Sequence, residues 1–267
     1  MLDALRLSVG TLTIVPSGAI AEIDRRTAAR AMIIAPLAVL PLAVAVALVG
    51  WLARTAGLPA LAVGLLVVGG LALGSRALHL DGLADTVDGF GAGWTVLPST
   101  ARATDARGAA RERSLMVMRR GDVGPMGVVA LIIVLGLQAV SVGALIQGVP
   151  GALLIGAAVC CSRAALSLTC VRGVPAARGD GLGAAVAGSV PRAAAAGCWL
   201  AVLLIMSWAG WLSGHDLANG VLATVAAAAM VGVLVYRSIR RLGGVTGDVM
   251  GAAIEITFTV MITLMII

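Results

Sequence analysis

An all-α bundle embedded in a membrane is the fold class this chain predicts, and three observations carry it. Hydrophobic residues make up 60% of the 267, and charged ones only 12%, a composition outside the range of water-soluble domains. The apolar residues gather into runs about as long as a bilayer is thick. Arginine, the sole source of the 19 basic residues, sits mostly between those runs. The expected architecture is a polytopic helix bundle of about seven spans with an N-terminal interfacial helix, residues 1–267 forming a single integral-membrane domain.

Residues 1–30 begin with Leu2, Leu5, Leu7, Val9, Leu12 and Ile14 at amphipathic spacing until Pro16 and Gly18 break it, the pattern of a helix lying in the interface. No cleaved leader is expected, because Asp3 and Arg6 interrupt the first ten residues. Spans are predicted at 31–53, interrupted by Pro36 and Pro41, and at 58–78. A polar loop over 91–124 is the most basic stretch of the chain. Further spans follow at 125–147, 151–171, 193–212 and 217–236, with a shorter one at 252–267.

Orientation follows from where the arginines fall. Arg6, Arg25, Arg26 and Arg30, the 91–124 loop, Arg172, Arg178 and Arg192, and Arg237, Arg240 and Arg241 alternate with short, weakly charged connections near 54, 148 and 215. The positive-inside rule then places the N-terminus and every arginine-rich segment in the cytoplasm. The net charge of +6 suits phosphate groups, since the guanidinium fork grips them bidentately, although Ala-, Gly- and Arg-rich codon bias yields the same balance. Cys160, Cys161, Cys170 and Cys198 lie in apolar runs without ligand spacing and read as core thiols.

The chemistry concentrates in His79-Leu80-Asp81-Gly82-Leu83-Ala84-Asp85-Thr86-Val87-Asp88-Gly89. On a helix Asp81, Asp85 and Asp88 stand at i, i+4 and i+7, on one face. Like charges that close repel, and hard oxygen ligands at this spacing suit Mg²⁺. A second stretch, Gly243-Gly244-Val245-Thr246-Gly247-Asp248-Val249-Met250-Gly251 with Glu255 beyond it, offers backbone amides and the oxygens of Thr246 and Asp248. Carboxylates beside an apolar segment are costly unless they serve a site. A third, from Arg163 through Arg172 to Gly183, reads equally as a phosphate clamp or an ordinary loop.

Together with Arg111-Glu112-Arg113-Ser114 and Met118-Arg119-Arg120-Gly121-Asp122, these motifs resemble the cobalamin-5'-phosphate synthase family, the adenosylcobinamide-GDP ribazoletransferases, over nearly the whole chain. The resemblance implies a multi-pass inner-membrane enzyme, active on its cytoplasmic face. Such an enzyme joins α-ribazole, or its 5'-phosphate, to adenosylcobinamide-GDP and releases GMP with Mg²⁺ as cofactor. It further implies Asp81, Asp85, Asp88 and Asp248 as catalytic metal ligands, with Glu255 as a further metal ligand and His79 as a candidate base. Arg113, Arg119, Arg172, Thr246 and Gly247 are implied as substrate contacts. The family's acidic position in the middle motif is Arg120 here, so its role is carried to Asp122. The segment 94–105 looks longer than in compact relatives and receives no function. The lipid bilayer is an expected partner and nucleic acid is not. Homo-oligomerisation is left open.

Two other classes compete. A CDP-alcohol phosphotransferase matches Asp85 to Gly89, but Gly93 stands where that motif needs Arg and the later aspartates are absent. An ion-coupled transporter would place its carboxylates near the membrane midplane, whereas these fall at one mouth.

Overall fold

A computed structural model of the chain describes residues 1–20, 23–92 and 103–267, with the backbone alone for 103–106. Most of the longer segment inferred at 94–105 therefore lies outside the described residues. Among those residues the regular structure is helical, apart from two isolated bridges, Val171 to Val190 and Ala176 to Val245.

The order is α1 (Leu2–Leu12), α2 (Arg25–Ala38), α3 (Leu40–Thr55), α4 (Ala60–Gly74), α5 (Leu78–Ala92), α6 (Ala103–Val117) and α7 (Pro125–Leu145). Then come α8 (Val149–Ser162), α9 (Ala165–Thr169), α10 (Gly181–Val186), α11 (Arg192–Leu212), α12 (Leu217–Leu242) and α13 (Gly247–Leu264). Local chemistry sets many of these ends. Asp24 caps α2 by accepting from the Thr27 amide, Asp216 caps α12 at Ala218, and Thr246 caps α13 at Val249. Pro41 has no N–H to offer Leu37, and the helix breaks at Val39 between α2 and α3. Gly243, at φ 80°, takes the left-handed conformation that ends α12.

Six segments among the described residues are long and apolar enough to cross a bilayer: Arg25–Thr55, Pro125–Leu145, Val149–Thr169, Arg192–Leu212, Leu217–Leu242 and Gly247–Leu264. A seventh candidate is α4 with α5, long and apolar enough only as a pair and bent by 89° between them, the shape of a broken span or a re-entrant loop. The chain is thus a multi-pass membrane bundle, as its composition predicts. Large apolar side chains such as Leu37, Ile132 and Leu204 face outward, the pattern of a surface solvated by lipid. The core is built from small and flexible side chains, among them Ala28, Ala35, Val63, Met206, Met250 and Met261.

The bend between α4 and α5 has a local cause. Arg76 and Ala77 both adopt left-handed φ, 57° and 55°, at a cost of roughly 1–3 kcal/mol each. The bend is tied down by α1: Arg76 Nη2 donates to Gly10 O at 2.6 Å, and the Ile14 amide to Gly74 O at 2.7 Å. The expected loop over 91–124 also proves to hold a helix, α6, so that sequence reading is corrected. Its sequence is rich in strong helix formers, with four Ala, three Arg, Glu112, Leu115 and Met116, and Ser114 and Met118 are buried, Met118 meeting α5 at Gly89; propensity and packing both favour the helix.

Candidate active site

The two acidic motifs meet because two glycines let their helices touch. A Cβ on Gly82 would stand 2.7 Å from the carbonyl oxygen of Asp248 and 2.9 Å from its Cα, and one on Gly251 would lie 3.1 Å from His79 Cα. The start of α5 therefore packs backbone to backbone on the first turn of α13. This contact brings Asp81 and Asp85 beside Asp248, and Asp85 lies within electrostatic range of both, and of Asp88 and Arg178. Asp81 is exposed while Asp85 and Asp88 are buried.

Each carboxylate has a different setting. Asp248 Oδ2 accepts from the Thr246 hydroxyl at 3.0 Å and lies 3.9 Å from Arg178 Nη2. Arg178 is fixed in turn by donating to Leu115 O at 3.2 Å, and its buried Nε has no partner among the described residues. Asp88 spends both oxygens on the entrance to α7: Oδ2 accepts from the Gly124 amide at 2.7 Å and Oδ1 from that of Gly127 at 2.9 Å. Bonds from two backbone amides to one ionised carboxylate are strong, so Asp88 anchors the turn after α6. Among the described residues Asp81 and Asp85 have no such backbone tie.

Two clefts open on either side of Asp248. One, about 250 Å³, is lined by Arg178, Asp180, Gly181, Gly183, Thr246 and Gly247. Arg119 Nη2 donates to both oxygens of Asp180 at 3.0 Å on its rim. The other, about 280 Å³, runs from α1 past His79 and Asp81 to Gly247 and Asp248. Arg111 braces the surrounding loops by donating to Ala177 O at 2.9 Å, and Arg241 does so at Phe90 O at 2.8 Å.

The structure separates the remaining candidates. Glu255 lies deeper along α13, where Oε2 accepts from Gln138 Nε2 at 2.7 Å beside the buried Arg163. Asp122 is exposed in the turn before α7, Arg172 is exposed where its amide bonds Val190 O, and Arg113 is exposed on α6. Sequence reasoning named neither Arg178 as a site residue nor Gln138. The only signal for Arg178 was its place just before Gly179-Asp180-Gly181.

Among the described residues no three Asp, Glu, His or Cys side chains close into a ready-made cation cage. Asp81 and Asp248 instead line an open cleft with hard oxygens, and Asp85 lies buried within electrostatic range of both, a donor set that suits Mg²⁺ in its usual manner: one or two carboxylates from the protein, the rest from substrate phosphates and water.

Comparison with known proteins decides the lineage. The family model described as cobalamin-5-phosphate synthase matches residues 4–266. The chain belongs to the cobalamin-5-phosphate synthase family. It is 47% identical over 256 residues to an adenosylcobinamide-GDP ribazoletransferase of Nocardioides sp., covering 96% of this chain and 95% of that one. Identity to proteins of the same name is 39% in Frankia casuarinae, covering 96% and 91%, and 33% in Bradyrhizobium diazoefficiens, covering 93% and 87%. No solved structure matches the chain. A cobalamin-5-phosphate synthase sequence end to end leaves no place for the phosphotransferase or transporter readings.

Proposed function

We propose that the protein is an adenosylcobinamide-GDP ribazoletransferase of the inner membrane with its site on the cytoplasmic face. It joins α-ribazole, or its 5'-phosphate, to adenosylcobinamide-GDP and releases GMP. The observation that carries the reading is the contact of Gly82 with Asp248, which sets Asp81 and Asp85 of one motif beside Asp248 of the other, with Arg178 3.9 Å from Asp248 and a cleft on each side of it. Arginines flank that same end of the bundle, as the positive-inside rule requires of a cytoplasmic face.

In the reaction a ribose hydroxyl oxygen bonds to the phosphorus nearer cobinamide, the bond from that phosphorus to the GMP oxygen breaks, and GMP leaves with the electron pair. The chain has three tasks in it. Arg178 and the N-terminal turn of α13 supply positive potential to the diphosphate. Asp81 and Asp85 would hold Mg²⁺ against it, and the cation, when bound, neutralises charge on the phosphoryl oxygens. Asp248, with Oδ2 held by Thr246 and Arg178, presents Oδ1 to accept the hydroxyl proton. The closed packing at Gly82 and Gly251 keeps these groups in register, and positioning carries much of phosphoryl transfer. The test is direct: purified protein should release GMP from adenosylcobinamide-GDP only with α-ribazole and Mg²⁺ present. Absence of release with both substrates and metal would overturn the reading.

A further inference from the structure

The cleft on the α1 side of Asp248 has a chemistry of its own. Its floor is apolar, formed by Leu12, Met32, Leu78, Leu166, Met250 and Ile254. Its polar groups stand at the edges, with Arg76 and Thr11 at one end and Asp81 and Asp248 at the other. Between them His79 lines the wall, 4% exposed, and neither ring nitrogen has a hydrogen-bond partner among the described residues. Glu255 Oε1 is 4.0 Å from His79 Nδ1, outside hydrogen-bond range. A buried imidazole without a partner is costly, and a ligand that supplies one acceptor in an otherwise apolar slot relieves that cost.

We propose that this cleft is the α-ribazole subsite, which deepens and rests on the ribazole-transfer reading. The dimethylbenzimidazole ring is flat and apolar except for one unsubstituted nitrogen. Laid on the floor between α1, α5 and α13, it buries its methyl-bearing edge and, once the buried imidazole turns toward the cleft, accepts a hydrogen bond from the His79 N–H through that nitrogen. The ribose is left at the Asp81 and Asp248 end, where its hydroxyl meets the reacting groups. The other substrate fits poorly here. Guanine carries donors and acceptors along an edge that this floor cannot satisfy, and a corrin ring is far too large for about 280 Å³. The diphosphate then occupies the cleft beside Arg178, and the two substrates meet across Asp248, which lines both clefts.

The test is equilibrium binding to detergent-solubilised full-length protein without Mg²⁺, followed by the intrinsic fluorescence of the benzimidazole and by calorimetry. Wild type should bind α-ribazole roughly tenfold more tightly than the matching indole riboside, which lacks the acceptor nitrogen. His79→Phe should bind the two equally. Thr11→Phe, which narrows the cleft from α1, should raise the Kd of α-ribazole about tenfold or more while that of adenosylcobinamide-GDP stays unchanged, the latter also reporting a folded protein. Equal affinity of wild type for the two ribosides, or a Thr11→Phe that weakens adenosylcobinamide-GDP instead, overturns the assignment. If wild type releases GMP yet does not distinguish the ribosides, the subsite alone fails; if it releases none, the transfer reading fails.

Discussion

Gly82 rests on the backbone of Asp248, close enough that a single added carbon would stand 2.7 Å from the Asp248 carbonyl oxygen. Neither α5 nor the capped first turn of α13 can yield without moving its carboxylate. Gly82→Ala is therefore expected to push the helices apart, costing roughly 1–3 kcal/mol and lowering turnover more than the stability loss explains. Thermal melts in detergent with turnover below the transition would show both. Full activity in Gly82→Ala would mean that this contact does not set the site.

Metal removal tests the division of labour among the carboxylates. A chelator should abolish GMP release and Mg²⁺ should restore it. Asp81→Asn and Asp85→Asn should raise the Mg²⁺ needed for half-maximal rate. Asp248→Asn should leave that requirement near wild type while cutting turnover at saturating Mg²⁺ by roughly a hundredfold or more. A shifted metal requirement in Asp248→Asn alone would make it a ligand instead.

Asp88 behaves as an anchor in this geometry. An Asn there presents an NH₂ to one of two backbone amides and loses a charge-assisted bond of about 1.5–3 kcal/mol. Asp88→Asn should lower the thermal midpoint, with the Mg²⁺ requirement of its remaining activity unchanged. A normal midpoint with a raised Mg²⁺ requirement would assign Asp88 to the metal.

Arg178 and Arg172 should part company. Arg178→Ala removes the guanidinium 3.9 Å from Asp248 and should raise the KM for adenosylcobinamide-GDP about tenfold, the scale of one lost charge-assisted contact. Arg172 is exposed, and Arg172→Ala should leave both KM values within about twofold, as surface changes do. Steady-state kinetics with each substrate varied in turn checks this, and reversed effects would move the diphosphate out of the Arg178 cleft.

Topology is testable by labelling. With Cys160, Cys161, Cys170 and Cys198 replaced, single cysteines at Arg107 and Arg240 should react with an impermeant maleimide only from the cytoplasmic side. One at His215 should react only from the other. Periplasmic labelling at position 107 would invert the orientation.

The sequence alone determined the class, the approximate spans and the motifs proposed to carry chemistry, because each leaves a one-dimensional trace. Burial in lipid demands long apolar runs, and Asp81, Asp85 and Asp88 show their common helical face by spacing. The meeting of Asp81 and Asp85 with Asp248 was expected from family likeness, not spacing, since it depends on how Gly82 and Gly251 let two helices cross. Tertiary structure alone decided which carboxylates share the opening. Asp88 and Asp85 lie less than one turn apart on one helix, yet Asp88 is tied to the amides of Gly124 and Gly127 while Asp85 stays within electrostatic range of Asp81 and Asp248. Glu255, in sequence close to Asp248, is drawn away to Gln138. Periodicity fixes the face on which a side chain stands, but its partner is set by whichever helix packs against that face, and this is a property of the whole bundle.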